Sequence, residues 1–258
     1  MDDVDAIAAL QDPVRRRLYD YVAAQDHEVG RAEAADAAGI QRTLAAFHLD
    51  RLTEAGLLDA VFRRPAGRSG PGAGRPAKLY RRSATERTVS VPPRDYRVPA
   101  ELLAEVVEEI GGEEVLERLA RIRGRSAGAA AAEAMAAAAE TGADRAGADR
   151  AGADRAGAGT PGGDTPDPDT PDAGAPGERM MAALRARGYE PYRDGAELRL
   201  RNCPFHALAV AFPPVVCGMN LALLEGLVEG LGPAGVTARM DPRPGECCVV
   251  LDSKNNDS

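Results

Sequence analysis

The chain has 258 residues, of which 44% are hydrophobic and 28% charged, and its net charge is −8. Residues 1–97 carry 16 Lys and Arg against 14 Asp and Glu, whereas residues 98–258 carry 16 against 26, so the acidic total does not exclude a nucleic-acid-binding N-terminal region. No apolar run is long enough to span a membrane and the N-terminus is too charged for a signal peptide, so we expect a cytoplasmic protein that does not associate with membranes.

The first region, residues 1–97, predicts three helices followed by a β-hairpin. Apolar residues recur at helical spacing through 5–25, where Pro13 should begin or kink the second half, and Gly39 should cap the end of a short second helix. A third helix follows from residue 41, and two strand-like segments flank a glycine–proline tip. This order predicts a winged helix-turn-helix DNA-binding domain, and a generic three-helix core is the alternative.

In a winged helix the third helix enters the major groove of double-stranded DNA and its N-terminal side chains reach base edges. The hairpin holds seven basic residues and no acidic one between Arg63 and Arg82, as expected of a wing that lies along phosphates. The candidate DNA-contacting residues are Gln41, Arg42, Thr43, Ala46, Phe47, Arg51, Arg63, Arg64, Arg68, Arg75 and Lys78.

Three further segments follow. Residues 98–140 predict a helical dimerisation segment, broken at Gly111-Gly112, whose apolar faces would form the interface of a homodimer. Residues 141–177 contain three GADRA repeats and then mostly Gly, Pro, Asp and Thr, which predicts a disordered linker. Residues 178–258 regain helix and strand patterns and predict a small α+β sensor domain that contains the cysteines. The expected fold class is therefore α+β. The apolar residues of the dimerisation segment are Leu102, Val106, Ile110, Leu116, Leu119 and Ile122.

All four cysteines lie at predicted junctions of the last domain: Cys203 at a strand end, Cys217 just before a helix, and Cys247 and Cys248 at the start of the last strand. Neighbours in a strand face opposite sides, so we expect only one of the last two to be a ligand, and Cys247 is preferred because it is nearest the "PRPGE" loop. His206 is a candidate fourth ligand. Three cysteines and one other ligand suit a [4Fe–4S] cluster or a zinc ion, and gaps of 13 and 29 residues favour the cluster. A thiol switch and inert buried thiols remain alternatives.

Several of these motifs resemble a known family. The stretches "FHLDRLTEAGLL", "GRPAKLYRRS" and "NCPF…VC…CC" resemble ArsR-type winged-helix regulators of the SufR-like branch. The resemblance covers residues 5–90 and 178–251 and leaves out 124–177. It implies a cytoplasmic dimeric repressor that senses an iron–sulfur cluster held by C-terminal cysteines. The doubled last cysteine departs from that pattern.

We therefore expect a DNA-binding transcriptional repressor whose operator binding is modulated by an iron–sulfur cluster. An enzyme is not expected, because the chain has only three histidines, no nucleophile motif and no glycine-rich phosphate loop after a strand. The alternatives are a winged-helix regulator that senses thiol oxidation or zinc through the same cysteines, and one that has no ligand.

Overall fold

The computed structural model describes residues 3–63, 76–92, 94–153, 176–232 and 235–253. The fold is mixed α+β, as predicted, and it contains two small antiparallel sheets. The chain divides into two compact units, Met1–Arg94 and Asp95–Ser258. Three predicted wing residues, Arg64, Arg68 and Arg75, and residues 154–175 of the predicted linker lie outside the described residues.

The helices of the first unit begin and end at residues that suit those positions. Asp12 accepts hydrogen bonds from the backbone N–H groups of Val14 and Arg15 at 2.9 and 3.0 Å, and Pro13 takes the first helical position, so Pro13 begins a helix as predicted. Gly39 ends another helix with φ 65°, also as predicted. The helices are α1 (Asp3–Ala8), α2 (Pro13–Ala24), α3 (Arg31–Ala38) and α4 (Arg42–Glu54), with a short 3-10 turn at Ala9–Gln11.

A three-stranded sheet completes the first unit. Its strands are β1 (Val29–Gly30), β2 (Leu58–Arg63) and β3 (Ala77–Arg82), in the order β1-β3-β2. The β2–β3 pair runs antiparallel from Leu58 opposite Arg82 to Arg63 opposite Ala77, which confirms the predicted hairpin strands. The α4 residues predicted to face inward are fully buried and form a core with α2, α3 and β3; they are Ala45, Leu49 and Leu52.

The second unit contains the remaining helices and a four-stranded antiparallel sheet of order β4-β5-β7-β6. Its helices are α5 (Arg97–Ile110), α6 (Glu113–Ala153), α7 (Pro176–Arg185), α8 (His206–Ala211) and α9 (Pro213–Leu231). Its strands are β4 (Pro191–Asp194), β5 (Glu197–Leu200), β6 (Val236–Met240) and β7 (Val249–Ser253).

Three features of this unit bear on the sequence predictions. The break between α5 and α6 is confirmed, since Gly111 ends α5 with φ 64°. Helix α6 continues to Ala153, beyond residue 141 where the predicted linker begins, through an alanine-rich stretch that favours a helix. The elements α8 and β4 were not predicted.

Helices α6 and α9 lie backbone to backbone, running in the same direction. A Cβ added at Gly226 would overlap the carbonyl oxygen of Arg121, and one added at Gly124 would overlap that of Leu223. Glycine is therefore required for this close approach. Ion pairs flank the contact, with the Arg121 Nη1–Glu229 Oε1 distance at 3.2 Å.

By length and composition α9 is one described helix that could cross a membrane, with a mean hydropathy of 1.4. Within the second unit it packs against α6, α8 and the strands β6 and β7, and Leu224 and Leu227 are at most 1% exposed. Helix α9 is therefore apolar on several sides because several elements of the second unit cover it.

Candidate functional site

The exposed face of α4 carries most of the side chains predicted to read DNA. Gln41 is the N-cap residue, and the side chains of Gln41, Arg42 and Thr43 are exposed at the start of the helix. Phe47 is 54% exposed. Arg51 pairs with Glu54, with 3.0 Å between Nη1 and Oε2. Ala46 is half-buried beside this face.

The two described wing candidates are held by ion pairs. Arg63 donates a hydrogen bond of 2.6 Å to Glu28, and Lys78 donates one of 2.5 Å to Asp50 on α4. The hydroxyl of Tyr80 donates to the same Asp50 carboxylate at 2.9 Å. Burial opposes ionisation of Asp50, but the hydrogen bonds from Lys78 and Tyr80 outweigh it, so its pKa lies below the ordinary value. Asp50 thus fixes β3 against α4, a role that the sequence analysis missed.

The cysteines lie on three segments of the second unit, two of which differ from the prediction. Cys203 follows β5, as expected. Cys217 lies inside α9 rather than before it, because the helix begins at Pro213. Cys247 and Cys248 precede β7, which starts at Val249, so the rule that strand neighbours face opposite sides does not apply to them.

The four thiols form a chain of neighbours in the order Cys203, Cys247, Cys248, Cys217, each close enough to the next to shift its pKa. The hydrogen bonds from Cys203 and Cys248 are the main reason that the pKa of the Cys247 thiol is lowered. The hydrogen bond to Cys247 and burial raise the pKa of Cys203, and the same two causes raise that of Cys248. Negative charge in the group is therefore concentrated on Cys247.

Nitrogen donors also point at two of these sulfurs. The backbone N–H of Phe205 donates to the Cys203 sulfur, and that of Val249 donates to the Cys247 sulfur. The side-chain Nδ2 of the fully buried Asn220 lies 3.3 Å from the Cys247 Sγ. Cys247 thus accepts from two nitrogens, which suits a sulfur that carries negative charge.

The loop that carries Cys247 is anchored to the sheet. The backbone N–H of Cys247 donates to the carbonyl oxygen of Leu200 at 2.9 Å. The preceding residue, Glu246, accepts a 2.6 Å hydrogen bond from the Tyr192 hydroxyl and lies 3.6 Å from Arg199, measured from Oε2 to Nη1. Arg199 is only 1% exposed and is surrounded by carboxylates. Its acidic partners are Asp194, Glu197, Asp241 and Glu246.

His206, the candidate fourth ligand, begins α8 and has an exposed side chain. Its backbone N–H donates to the carbonyl oxygen of Cys203 at 3.0 Å. Among the described residues, no group of three or more His, Cys, Asp or Glu side chains is arranged to hold a single metal ion. The thiol chain is a different arrangement, in which the sulfurs are neighbours of one another. Because the ligands of a [4Fe–4S] cluster sit on separate irons, these sulfurs would have to move apart to bind one.

Helix α9 separates the cysteine group from α6. Its residues Cys217 and Asn220 lie on the side of the thiols, and its residues Gly226 and Gly230 lie on the opposite side, against α6. On α6 itself, the side away from α9 carries exposed apolar residues. They are Val115, Leu119 and Ile122, which are 48–54% exposed.

Comparison of the chain with protein-family models, with curated proteins and with solved structures finds no match.

Proposed function

We propose that the protein is a DNA-binding transcriptional regulator, acting as a repressor, whose operator affinity is controlled by an iron–sulfur cluster on the cysteines of the second unit. The observation that carries this proposal is the convergence of all four cysteines of the chain, from three segments, in one group of neighbouring thiols. The resemblance of the sequence motifs to SufR-like regulators supports the same proposal.

The first unit supports DNA binding through its shape and its exposed side chains. Helices α2 to α4 with the β2–β3 hairpin have the order of a winged helix, and we assign α4 as its recognition helix. Arg42 and Thr43 are exposed at the N-terminal end of α4, where a recognition helix contacts base edges. The hairpin supplies basic side chains for the phosphates.

The second unit supports a soft metal centre. Thiolates are the usual ligands of iron–sulfur clusters, and Cys203, Cys217 and Cys247 are the proposed ligands. We prefer Cys247 to Cys248 because two nitrogen donors stabilise negative charge on its sulfur. A bound cluster supplies a group sensitive to iron, oxygen and redox state. His206 remains the proposed fourth ligand.

The α6–α9 contact offers a route from the cysteines to a dimer interface. Helix α6 touches the cysteine-bearing α9 on one side and exposes apolar residues on the other. Helix α5 also contacts α8 and α9, and it begins at Arg97, close after the end of the first unit at Arg94. We assign the exposed apolar faces of α5 and α6 to a homodimer interface. A change at the cysteines then reaches the dimer interface through α9, α5 and α6, without passing through the predicted linker. A coupling free energy of about 1–3 kcal/mol between the cysteines and DNA binding is enough for regulation.

DNA recognition is tested by selecting binding sequences from a random double-stranded library with the full chain. We expect one motif to be enriched, and we expect Arg42→Ala to change that motif. The wing substitution Arg64→Ala should weaken all sequences alike and reduce the salt slope by about 1. As a control, Arg185→Ala removes the same charge from an exposed position of the second unit. Equal effects of all three substitutions would contradict the assignment.

Ligation is tested by comparing two adjacent substitutions, Cys247→Ser and Cys248→Ser, with Cys203→Ser. Cys203→Ser and Cys247→Ser should lose iron, and their DNA binding should no longer respond to iron. Cys248→Ser should keep both its iron and the response of DNA binding to iron. The closeness of the Cys203 and Cys247 thiols, each of which shifts the pKa of the other, also suits a thiol–disulfide sensor. That second candidate is favoured if DNA binding responds to peroxide and thiols in iron-free protein, and if Cys203→Ser and Cys247→Ser abolish the response.

A further inference from the structure

Asn220 is a polar residue with no accessible surface, in the middle of the apolar helix α9. An amide in such a place costs free energy unless its hydrogen-bonding atoms find partners. Both ends of this amide do so. The hydroxyl of Tyr189 donates to Oδ1 at 2.6 Å, and Nδ2 donates to the Cys247 sulfur at 3.3 Å.

The tyrosine fixes which way the amide points. Tyr189 is 2% exposed, and burial, reinforced by the neighbouring cysteines, raises its pKa, so its hydroxyl stays protonated and serves as a donor. A donor hydroxyl requires the amide oxygen on its side, which leaves Nδ2 directed at the sulfur. The donor and acceptor of both hydrogen bonds, from Tyr189 to Asn220 and from Asn220 to Cys247, are therefore fixed.

We infer that Asn220 is a positioning residue for the cysteine centre, whose amide, oriented by Tyr189, stabilises negative charge on the Cys247 sulfur. For a bound cluster this inference rests on the proposed function; for the metal-free protein it does not. Hydrogen bonds to ligand sulfurs are among the factors that set the reduction potential of an iron–sulfur centre.

The first test measures the reduction potential of anaerobically reconstituted full-length protein at constant pH. Asn220→Leu removes the donor with little change in volume, and Tyr189→Phe removes only the group that orients it. Both should shift the potential to more negative values, Asn220→Leu by more, because the reduced centre carries the extra negative charge. Tyr21→Phe is the matched control: it removes a tyrosine hydroxyl from the first unit, where it donates to Glu33, and it should leave the potential unchanged.

The second test needs no cluster and so separates this inference from the proposed function. In metal-free protein, the side-chain amide protons of Asn220 are identified in nuclear magnetic resonance spectra by their loss in Asn220→Leu. We expect these protons to exchange slowly with solvent, to shift in Cys247→Ser, and to exchange faster in Tyr189→Phe. An amide signal indifferent to both substitutions would overturn the inference. A wild-type potential in reconstituted Asn220→Leu would also overturn it.

Discussion

Replacing Gly226 by alanine should destabilise the second unit, although alanine is the better helix former. A Cβ at this position would overlap the carbonyl oxygen of Arg121 and lie 2.9 Å from the amide nitrogen of Arg125, where ordinary contact begins at 3.4 Å. The overlap with the carbonyl oxygen is the larger of the two, so the two backbones must separate by about 1 Å or more, and overpacking of this kind costs about 1–3 kcal/mol. The helix propensity of alanine offsets about 1 kcal/mol of that cost.

Gly218→Ala is the matched control, since Gly218 lies in the interior of the same helix. A Cβ there would meet only the side chain of Glu117, which can rotate away. The propensity gain of about 1 kcal/mol should therefore appear without a steric cost. Because the propensity gain cancels between the two variants, Gly226→Ala should be less stable than Gly218→Ala by about 1–3 kcal/mol.

Thermal unfolding of the full chain, followed by the circular dichroism of its helices, measures this difference. For a unit of this size about 1 kcal/mol corresponds to about 2–4 °C in Tm, so Gly226→Ala should unfold about 2–12 °C below Gly218→Ala. Equal Tm values, or a higher Tm for Gly226→Ala, would refute the backbone contact between α6 and α9. The proposed route from the cysteines to the dimer interface would then lose its physical basis.

Three further predictions concern charges and the apolar face. Arg199→Leu should cost about 3–5 kcal/mol at pH 7, because it leaves a group of carboxylates without their buried partner. Burial opposes ionisation of Asp241, but Arg199 helps to hold its pKa below 3.8, so the deficit should shrink as the pH falls below 3.8; wild-type stability in urea at pH 7 would contradict this role. Asp50→Asn should lose less than about 1 kcal/mol at pH 7. The pKa of Asp50 is lowered from 3.8 by Lys78, so the ion pair contributes to stability above pH 3.8, and this contribution fades as the pH falls through the pKa of the folded protein. A stability difference between Asp50→Asn and wild type that does not change with pH would contradict this role. Leu119→Glu should convert a dimer to a monomer in sedimentation equilibrium, whereas Ala182→Glu, at an exposed position of α7, should not. An unchanged mass for Leu119→Glu would show that α6 is not part of the proposed interface.

The elements that could be predicted are those with local signals. In the first unit, helical periodicity, Pro13 at a first helical position and Gly39 at a helix end predicted the helices to within a few residues. The elements that were missed are short. Strand β4 reads "PYRD" and becomes a strand only by pairing with β5, and α8 has six residues. The start of α9 was placed late, although prolines at 213 and 214 indicate the beginning of a helix.

The candidate site required contacts that are distant in sequence. The sequence predicted that the cysteines lie near junctions, but not that the thiols form one chain or that Asn220 and Tyr189 support it. The contact of α6 with α9 joins residues about a hundred positions apart across the repeats. A signal for it was present, since both helices carry two glycines spaced four apart, a pattern typical of close helix pairs.

The most direct test of the central claim is the iron, sulfide and zinc content of full-length protein isolated without oxygen, together with its visible absorption spectrum. The account predicts about four irons and four sulfides per chain and a broad visible absorption, as expected of a [4Fe–4S] cluster. A colourless protein without iron that also fails to take up a cluster in anaerobic reconstitution would contradict it. The zinc content of such a protein would then decide between a zinc site and a thiol sensor.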